Sequence, residues 1–134
     1  MMKHVVADAS ALVEYLFGTP RQAAIGEIVG DQDVAIHVPA LCDIEVAAVV
    51  RRALNSERVD EARAASAILD YLDLPLSRHG HSALIGRVLQ LRRNFSAYDA
   101  TYVALAEHLN AELVTSDEAL GRAVRKHTAL KVRS

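Results

Sequence analysis

The sequence has 134 residues, of which 51% are hydrophobic and 24% are charged. This length and composition predict a single globular domain over residues 1–134 and exclude a disordered chain. The apolar runs are all much shorter than the about 20 residues that cross a bilayer, and a net charge of −2 excludes the strongly basic character of a general nucleic-acid-binding protein.

The first half of the chain alternates short apolar runs with helical patterns. In chain order we predict a strand over residues 4–7, helices over 10–17 and 21–29, a strand over 34–38, and helices over 41–54 and 60–72. Residues 18–20, Gly-Thr-Pro, predict the end of the first helix. Asp8 or Ser10 would cap that helix, and Asp60 would cap the helix that ends at residue 72.

The second half continues the same alternation. We predict a strand over 74–76, a helix from 81 or 82 to 93, a helix capped by Ser96 that runs to 109, a strand over 112–115, a helix over 118–126 and a strand over 130–133. The first of these strands must lie at an edge, because Pro75 lacks the N–H that a central strand donates. The pattern indicates an α/β fold whose central, mainly parallel sheet of about five strands is covered on both faces.

Four carboxylates recur at strand ends and on helices. Asp8 and Asp117 each follow a predicted strand, so both lie at the carboxyl edge of the sheet, where ligands bind in folds of this class. Glu45 interrupts an apolar helix, and Asp99 lies in the first turn of another. If the fold gathers them, their like charges cannot all stay ionised without a cation, and a hard divalent ion is the simplest one. The four therefore predict metal-assisted chemistry at a phosphodiester.

Each carboxylate also has a structural explanation. Asp8 and Asp117 could cap the helices that follow them, and Asp99 could belong to a capping box that begins three residues earlier. Glu45 has the weakest such explanation, because its helix is apolar nearly all round and should be buried, while the nearest following basic residues of that helix are six and seven positions away. The argument for a site therefore depends on the four residues lying together.

Other candidates are weaker. Asp43 fits a first-turn acid, and His79 and His81 fit a surface turn. Cys42 fits a packing position, and as the single cysteine it excludes an intramolecular disulfide and favours a reducing cytoplasm. Ser10 lacks a histidine base, so we expect it to bond a metal-bound water or a phosphate rather than act as a nucleophile. We find no glycine-rich phosphate loop and expect no secretory signal.

The basic residues are mostly arginines. Three lysines leave 12 arginines among the 15 basic residues, with pairs at residues 51–52 and 92–93. Arginine suits bidentate contacts to phosphate. A solvated helix face or a salt bridge is nevertheless the better explanation for any single one of them.

These residues resemble the motifs of PIN-domain ribonucleases of the VapC toxin type. Four segments carry the resemblance, in the family's order and spacing: residues 8–13 with Asp8, residues 39–52 with Glu45, residues 96–106 with Asp99 and residues 113–117 with Asp117. Each motif is loose by itself, whereas four in order are specific, and the similarity covers essentially the whole chain.

The resemblance implies a three-layer α/β/α fold and an endoribonuclease that depends on Mg²⁺ or Mn²⁺. It also implies a homodimer that a small VapB-like antitoxin inhibits, in a heterotetramer or a larger assembly. By motif, the catalytic and metal-binding residues would be Asp8, Glu45, Asp99 and Asp117. Ser10 and Thr115 would support them by hydrogen bonds.

Two other functions stay open at this stage. A non-catalytic interaction module could keep the fold and use its acids only for capping and ion pairs. A phosphotransfer domain also uses acids at strand ends, but a phosphatase of that type needs Asp-x-Asp where this chain has Ser10, and a receiver needs a lysine after a late strand. The sequence does not choose between RNA and DNA, or among transfer, ribosomal and messenger RNA.

Overall fold

Five parallel strands form one sheet in the computed structural model, which describes residues 1–18 and 22–134. The strands are β1 (Lys3–Ala7), β2 (Val34–Pro39), β3 (Leu76–His79), β4 (Glu112–Val114) and β5 (Val132–Arg133). Their order across the sheet is β3-β2-β1-β4-β5, and every neighbouring pair is parallel. The predicted sheet is confirmed, and β3 lies at an edge as its preceding proline predicts.

Seven α-helices in the described part of the chain flank the sheet. They are α1 (Ala9–Leu16), α2 (Gln22–Gly30), α3 (Leu41–Asn55), α4 (Glu61–Asp73), α5 (Ile85–Gln90), α6 (Ala97–Leu109) and α7 (Glu118–His127). Helices that join parallel strands cover both faces of the sheet, which gives the expected α/β/α layers. None of these helices is long and apolar enough to cross a membrane. The predicted break at Thr19 and Pro20 and the predicted helix start at Arg21 lie outside the described residues.

Small aliphatic residues fill the core, as the scarcity of aromatic residues requires. Val5 and Val6 of the central strand β1 and Leu113 of its neighbour β4 are fully buried. Helix α6 is buried over seven consecutive residues, 100–106, and it contacts β1, β2 and β4. Such a helix is held on several sides, so the residues at its N-terminus have a fixed place. Cys42 is fully buried with a free thiol, which confirms its packing role.

Most predicted boundaries agree within one residue, and three elements differ by more, namely β3, α5 and β5, the last of which starts at Val132 rather than at residue 130. Strand β3 begins at Leu76, because the Leu76 N–H bonds the Leu74 carbonyl at 2.8 Å and makes a tight turn around Pro75. Helix α5 follows a 3-10 turn at Ser82–Leu84 and ends at Gln90 rather than at residue 93. There the N–H of residue 92 bonds the carbonyl three residues back, as in a 3-10 turn.

The strand order reverses between β1 and β4. In open parallel sheets, the connections leave a crevice at such a point beyond the carboxyl ends of the strands. The Asp8 N–H donates to the Val114 carbonyl at 3.0 Å and ties the ends of the two strands together. The fold therefore offers a binding crevice next to Asp8.

Three histidines form a chain across neighbouring strands, which the sequence did not predict. His37 of β2 is buried, and its ring nitrogens lie 2.9 Å from Nδ1 of His4 on β1 and 2.8 Å from Nε2 of His79 on β3. The prediction that His79 belongs to a surface turn is wrong, because His79 ends a strand and pairs with His37. Burial, together with His79 and His4, lowers the pKa of His37.

The first prediction is that acid destabilises the protein through His37. A histidine with a lowered pKa contributes stability above its ordinary pKa of about 6.5, and that contribution is lost as the pH falls below this value. The melting temperature of the wild type should therefore fall between pH 8 and pH 5.5 by more than that of His37→Gln. His108→Gln, which changes an exposed histidine, should follow the wild type. If the melting temperatures of all three proteins fall equally between pH 8 and pH 5.5, the assignment of the acid sensitivity to His37 is wrong.

Candidate active site

Asp8 stands at the carboxyl end of β1 and is only 5% exposed. Its Oδ1 accepts hydrogen bonds from the Ser10 hydroxyl at 2.7 Å and from the Ala11 N–H at 3.0 Å. Its Oδ2 accepts a hydrogen bond from the Thr115 hydroxyl. The bond from Ala11 makes Asp8, and not Ser10, the N-cap of α1. Both hydroxyls that were expected to support the site therefore contact Asp8 itself.

The segment after β4 is tied to the same group. The Asp117 N–H donates to Thr115 Oγ1 at 3.0 Å, and the Ser116 N–H donates to Ser10 Oγ at 3.1 Å. Asp117 is exposed and is the N-cap of α7, where Oδ1 accepts from the Leu120 N–H at 3.1 Å. Side-chain hydroxyls thus join the segments that follow β1 and β4.

Glu45 and Asp99 approach from helices. Glu45 on α3 is half-buried, and its Oε1 accepts a hydrogen bond from the hydroxyl of the buried Tyr102 at 2.6 Å. Asp99 is half-buried in the first turn of α6, whose cap Ser96 accepts the Asp99 N–H at 3.1 Å. The expected burial of Glu45 is only partly correct, because α3 turns Ile44 into solvent beside it.

All four predicted carboxylates line one pocket. Its lining residues are Asp8, Ala9, Ser10, Glu45, Ala48, Val49, Arg52, Asp99, Tyr102 and Asp117. The pocket has a volume of about 310 Å³, about ten times the share of one water molecule in the liquid. It can therefore hold a hydrated ion together with a phosphate group.

Burial and neighbouring carboxylates raise the pKa of Asp8, Glu45 and Asp99. Burial raises the pKa of Asp8 most, and Asp117 adds to this, while the bonds from Thr115, Ala11 and Ser10 act in the opposite direction. Burial and then Asp117, Asp8 and Glu45 raise the pKa of Asp99. Burial and Asp8 likewise raise the pKa of Glu45, although the Tyr102 hydroxyl lowers it in part. The pocket therefore holds more negative charge than it can stabilise alone.

A hard divalent cation fits this set of donors. All four carboxylates offer oxygen, which Mg²⁺ and Mn²⁺ prefer, and a cation would offset the burial and the neighbouring charge that raise the pKa of Asp8, Glu45 and Asp99. Within residues 1–18 and 22–134, no three Asp, Glu, His or Cys side chains already form a group that could hold an ion by themselves. Both oxygens of Asp8 are also engaged by hydrogen bonds. The arrangement thus suits an ion that keeps several of its own waters, as Mg²⁺ does.

Residues outside the pocket have structural partners, and two residues inside it were missed. Asp43 accepts hydrogen bonds from the Tyr71 hydroxyl at 2.6 Å and from Arg78 Nε at 2.9 Å, so its structural interpretation is confirmed. Tyr102 was not predicted as a site residue, although it lies three positions after Asp99 and so on the same face of α6. Arg52 was discounted with the other arginines, yet it lines the pocket.

Comparisons with known proteins agree with this geometry. Residues 5–126 match the family model described as PIN domain. Ribonuclease VapC9 of Mycobacterium tuberculosis is 39% identical over 115 residues, which are 84% of this chain and 85% of that protein.

Two solved structures share the fold. VapC20 of Mycobacterium tuberculosis, described as a sarcin-ricin loop cleaving toxin, superposes with a TM-score of 0.65 at 15% identity and covers 89% of this chain and 94% of its own. VapBC2 of Rickettsia felis, solved with a DNA fragment from the promoter, superposes with a TM-score of 0.69 at 15% identity over 97% of both chains. At these identities the two structures show a common fold and no more.

The second prediction concerns the charge in the pocket. A carboxyl whose pKa is raised above the ordinary 3.8 contributes most stability below that pH, and the contribution is lost as the pH rises through the raised pKa. At pH 7 and without divalent ions, Asp99→Asn should therefore melt at a higher temperature than the wild type. The difference should disappear below about pH 4.

Mg²⁺ or Mn²⁺ should raise the melting temperature of the wild type more than that of Asp99→Asn, because a ligand that binds only the folded state stabilises it. Glu61→Gln is the matched control, since Glu61 is an exposed first-turn acid of α4. It should respond to Mg²⁺ as the wild type does. An Asp99→Asn protein that is less stable than the wild type at pH 7 would contradict the inferred repulsion between Asp99 and the other carboxylates.

Proposed function

The chain belongs to the PIN-domain family, and we propose that it is a toxin endoribonuclease of the VapC type that cleaves RNA with Mg²⁺ held by its four carboxylates. The observation that carries this proposal is the single pocket lined by Asp8, Glu45, Asp99 and Asp117 at the reversal of the strand order. The likeness to ribonuclease VapC9 over most of both chains supports the activity and the choice of RNA.

The hydrogen bonds of the pocket residues indicate a different role for each of them in the proposed reaction. Asp8 is oriented by the hydroxyls of Ser10 and Thr115, and Glu45 is oriented by the hydroxyl of Tyr102. Glu45, which the Tyr102 hydroxyl holds in place, is suited to accept a proton from an attacking water. When bound, Mg²⁺ would supply a lowered pKa for its water and a positive charge next to the phosphate.

The proposed partners are a second copy of the chain and a VapB-like antitoxin. The name VapBC2 of the Rickettsia felis structure supports a paired protein of this kind. Large apolar side chains on the described helices would suit such contacts, and the most exposed of these lie on α3, α4, α5 and α6. They are Ile44, Leu69, Leu72, Ile85, Leu89 and Tyr98.

The third prediction tests the activity itself. Purified wild-type protein should cleave RNA in the presence of Mg²⁺ and not with a chelator, and Asp8→Asn should lose cleavage by at least about a hundredfold, since a metal ligand is lost. Asparagine can still accept the Ala11 N–H, so the cap of α1 and the fold are retained.

The control for this test is Asp43→Asn, which removes an acid that lies outside the pocket. Gel analysis of the cleavage products and the growth of cells that express each protein are the measurements. A folded Asp8→Asn protein that cleaves RNA at the wild-type rate would overturn the proposal and leave the non-catalytic module as the better explanation.

The fourth prediction compares two buried tyrosines. Tyr102 and Tyr71 are each 2% exposed, and each donates to a carboxylate at 2.6 Å, but only Tyr102 bonds an acid of the pocket. Tyr102→Phe keeps the packing, frees Glu45 to move and raises its pKa further. It should lower cleavage by about 10- to 100-fold, whereas Tyr71→Phe should leave the rate near that of the wild type. Equal losses in the two variants would show that general packing is responsible.

A further inference from the structure

Arg52 of α3 lines two neighbouring concave surfaces. One is the acid pocket, where it lies with Asp8, Glu45 and Asp99. The other is a shallow groove lined by Arg52, Asn55, Ser56 and Arg58 at the C-terminal end of α3. Arg52 is thus the residue that joins the carboxylates to a surface with a second arginine.

The guanidinium of Arg52 has no hydrogen bond or ion pair within the described part of the chain. The backbone carbonyl of Arg52 accepts hydrogen bonds from the N–H and the hydroxyl of Ser56, at 3.0 Å and 2.8 Å. Other arginines are paired, for example Arg78 with Asp43 and Arg87 with Glu107. Arg52 therefore borders the acids without forming an ion pair with any of them in the part of the chain that the structure describes.

The end of α3 holds Arg58 next to Arg52. The Arg58 N–H bonds the Ala53 carbonyl at 2.9 Å, and the Glu57 N–H bonds the Leu54 carbonyl at 3.0 Å, which is the pattern of a Schellman helix end. Glu57 takes the left-handed position of this motif with φ of 59°, where glycine is the usual residue. Ser56 Oγ accepts from Arg58 Nε at 3.0 Å and donates to the Arg52 carbonyl at 2.8 Å. The side chain of Arg58 is thereby anchored by one nitrogen, and its terminal nitrogens remain available.

We propose that Arg52 and Arg58 bind successive phosphates of a single-stranded RNA and lead the strand from the acid pocket along the end of α3. This inference rests on the proposed function, because the pocket is where the strand would be cut. Arginine pairs with phosphate bidentately, and the guanidinium of Arg52 borders the acid pocket without a side-chain partner among the described residues, so it can bind a phosphate next to the site of cleavage. Arg52 and Arg58 are substrate-binding residues in this proposal and take no part in proton transfer.

The test uses binding of a labelled single-stranded RNA in the presence of Mg²⁺, measured by fluorescence anisotropy with the full chain carrying Asp8→Asn. In this background, Arg52→Gln and Arg58→Gln should each weaken binding by about five- to tenfold. Each should also reduce the slope of log affinity against log salt by about 0.7, the value for one phosphate contact on a single strand. Arg51→Gln is the matched control, because Arg51 is the exposed neighbour on the same helix and lines neither surface.

In the cleavage assay with Asp8 intact, Arg52→Gln should raise KM and change kcat little. If Arg52→Gln and Arg51→Gln bind RNA equally well, or if no RNA binds at all, this inference is overturned. A different outcome is that Arg52→Gln or Arg58→Gln binds RNA as the wild type does, but an antitoxin no longer restores the growth of cells that express the variant. That result would overturn this inference in favour of a protein ligand. Salt-dependent RNA binding through Arg52 and Arg58 by a wild-type chain that cuts no RNA would sustain this inference and refute the proposed function.

Discussion

Repulsion among four carboxylates in one pocket is the constraint on which the arrangement of the site depends. Three of the four lie at helix N-termini: Asp8 and Asp117 are the N-caps of α1 and α7, and Asp99 is in the first turn of α6. The N-terminus of a helix carries partial positive charge, so these positions offset part of the repulsion. Burial still raises the pKa of Asp8 and Asp99, which means that the helix ends and hydroxyls hold the acids in place without neutralising them.

The sheet topology makes this concentration of charge possible. The chain adds β2 and β3 on one side of β1 and then returns to place β4 on the other side, parallel to β1. Asp8 and Asp117 therefore follow adjacent strands, and the strand order reverses between these two strands. The remaining two acids come from helices, of which α6 is buried on most sides and is thereby fixed. The backbone of such a helix cannot move Asp99 away from its neighbours, so the charge is relieved either by protonation or by the cation of the proposed function.

The parts of the site that follow from local sequence were predictable. Asp8, Asp99 and Asp117 stand at strand ends or helix starts, and these boundaries show clearly in the apolar pattern. The contacts of Glu45 were not predictable, because its partner Tyr102 is 57 residues away and only the packing of α3 near α6 brings them together. The histidine chain was missed for the same reason, since His4, His37 and His79 become neighbours only through strand pairing. The end of α5 was misplaced because apolar periodicity continues through the turns that follow Gln90.

Capping a helix and lining the pocket are not alternatives for Asp8 and Asp117. The sequence presents each as either a helix cap or a site residue, whereas one oxygen of Asp8 accepts the capping N–H and the same carboxylate lines the pocket. Asparagine retains the cap and removes the charge, and alanine removes both, at a cost of about 1 kcal/mol for the cap alone. Loss of activity in an alanine variant would therefore mix two effects. For a pocket built from helix N-termini, only the substitution of Asp by Asn separates the role of the charge from that of the fold.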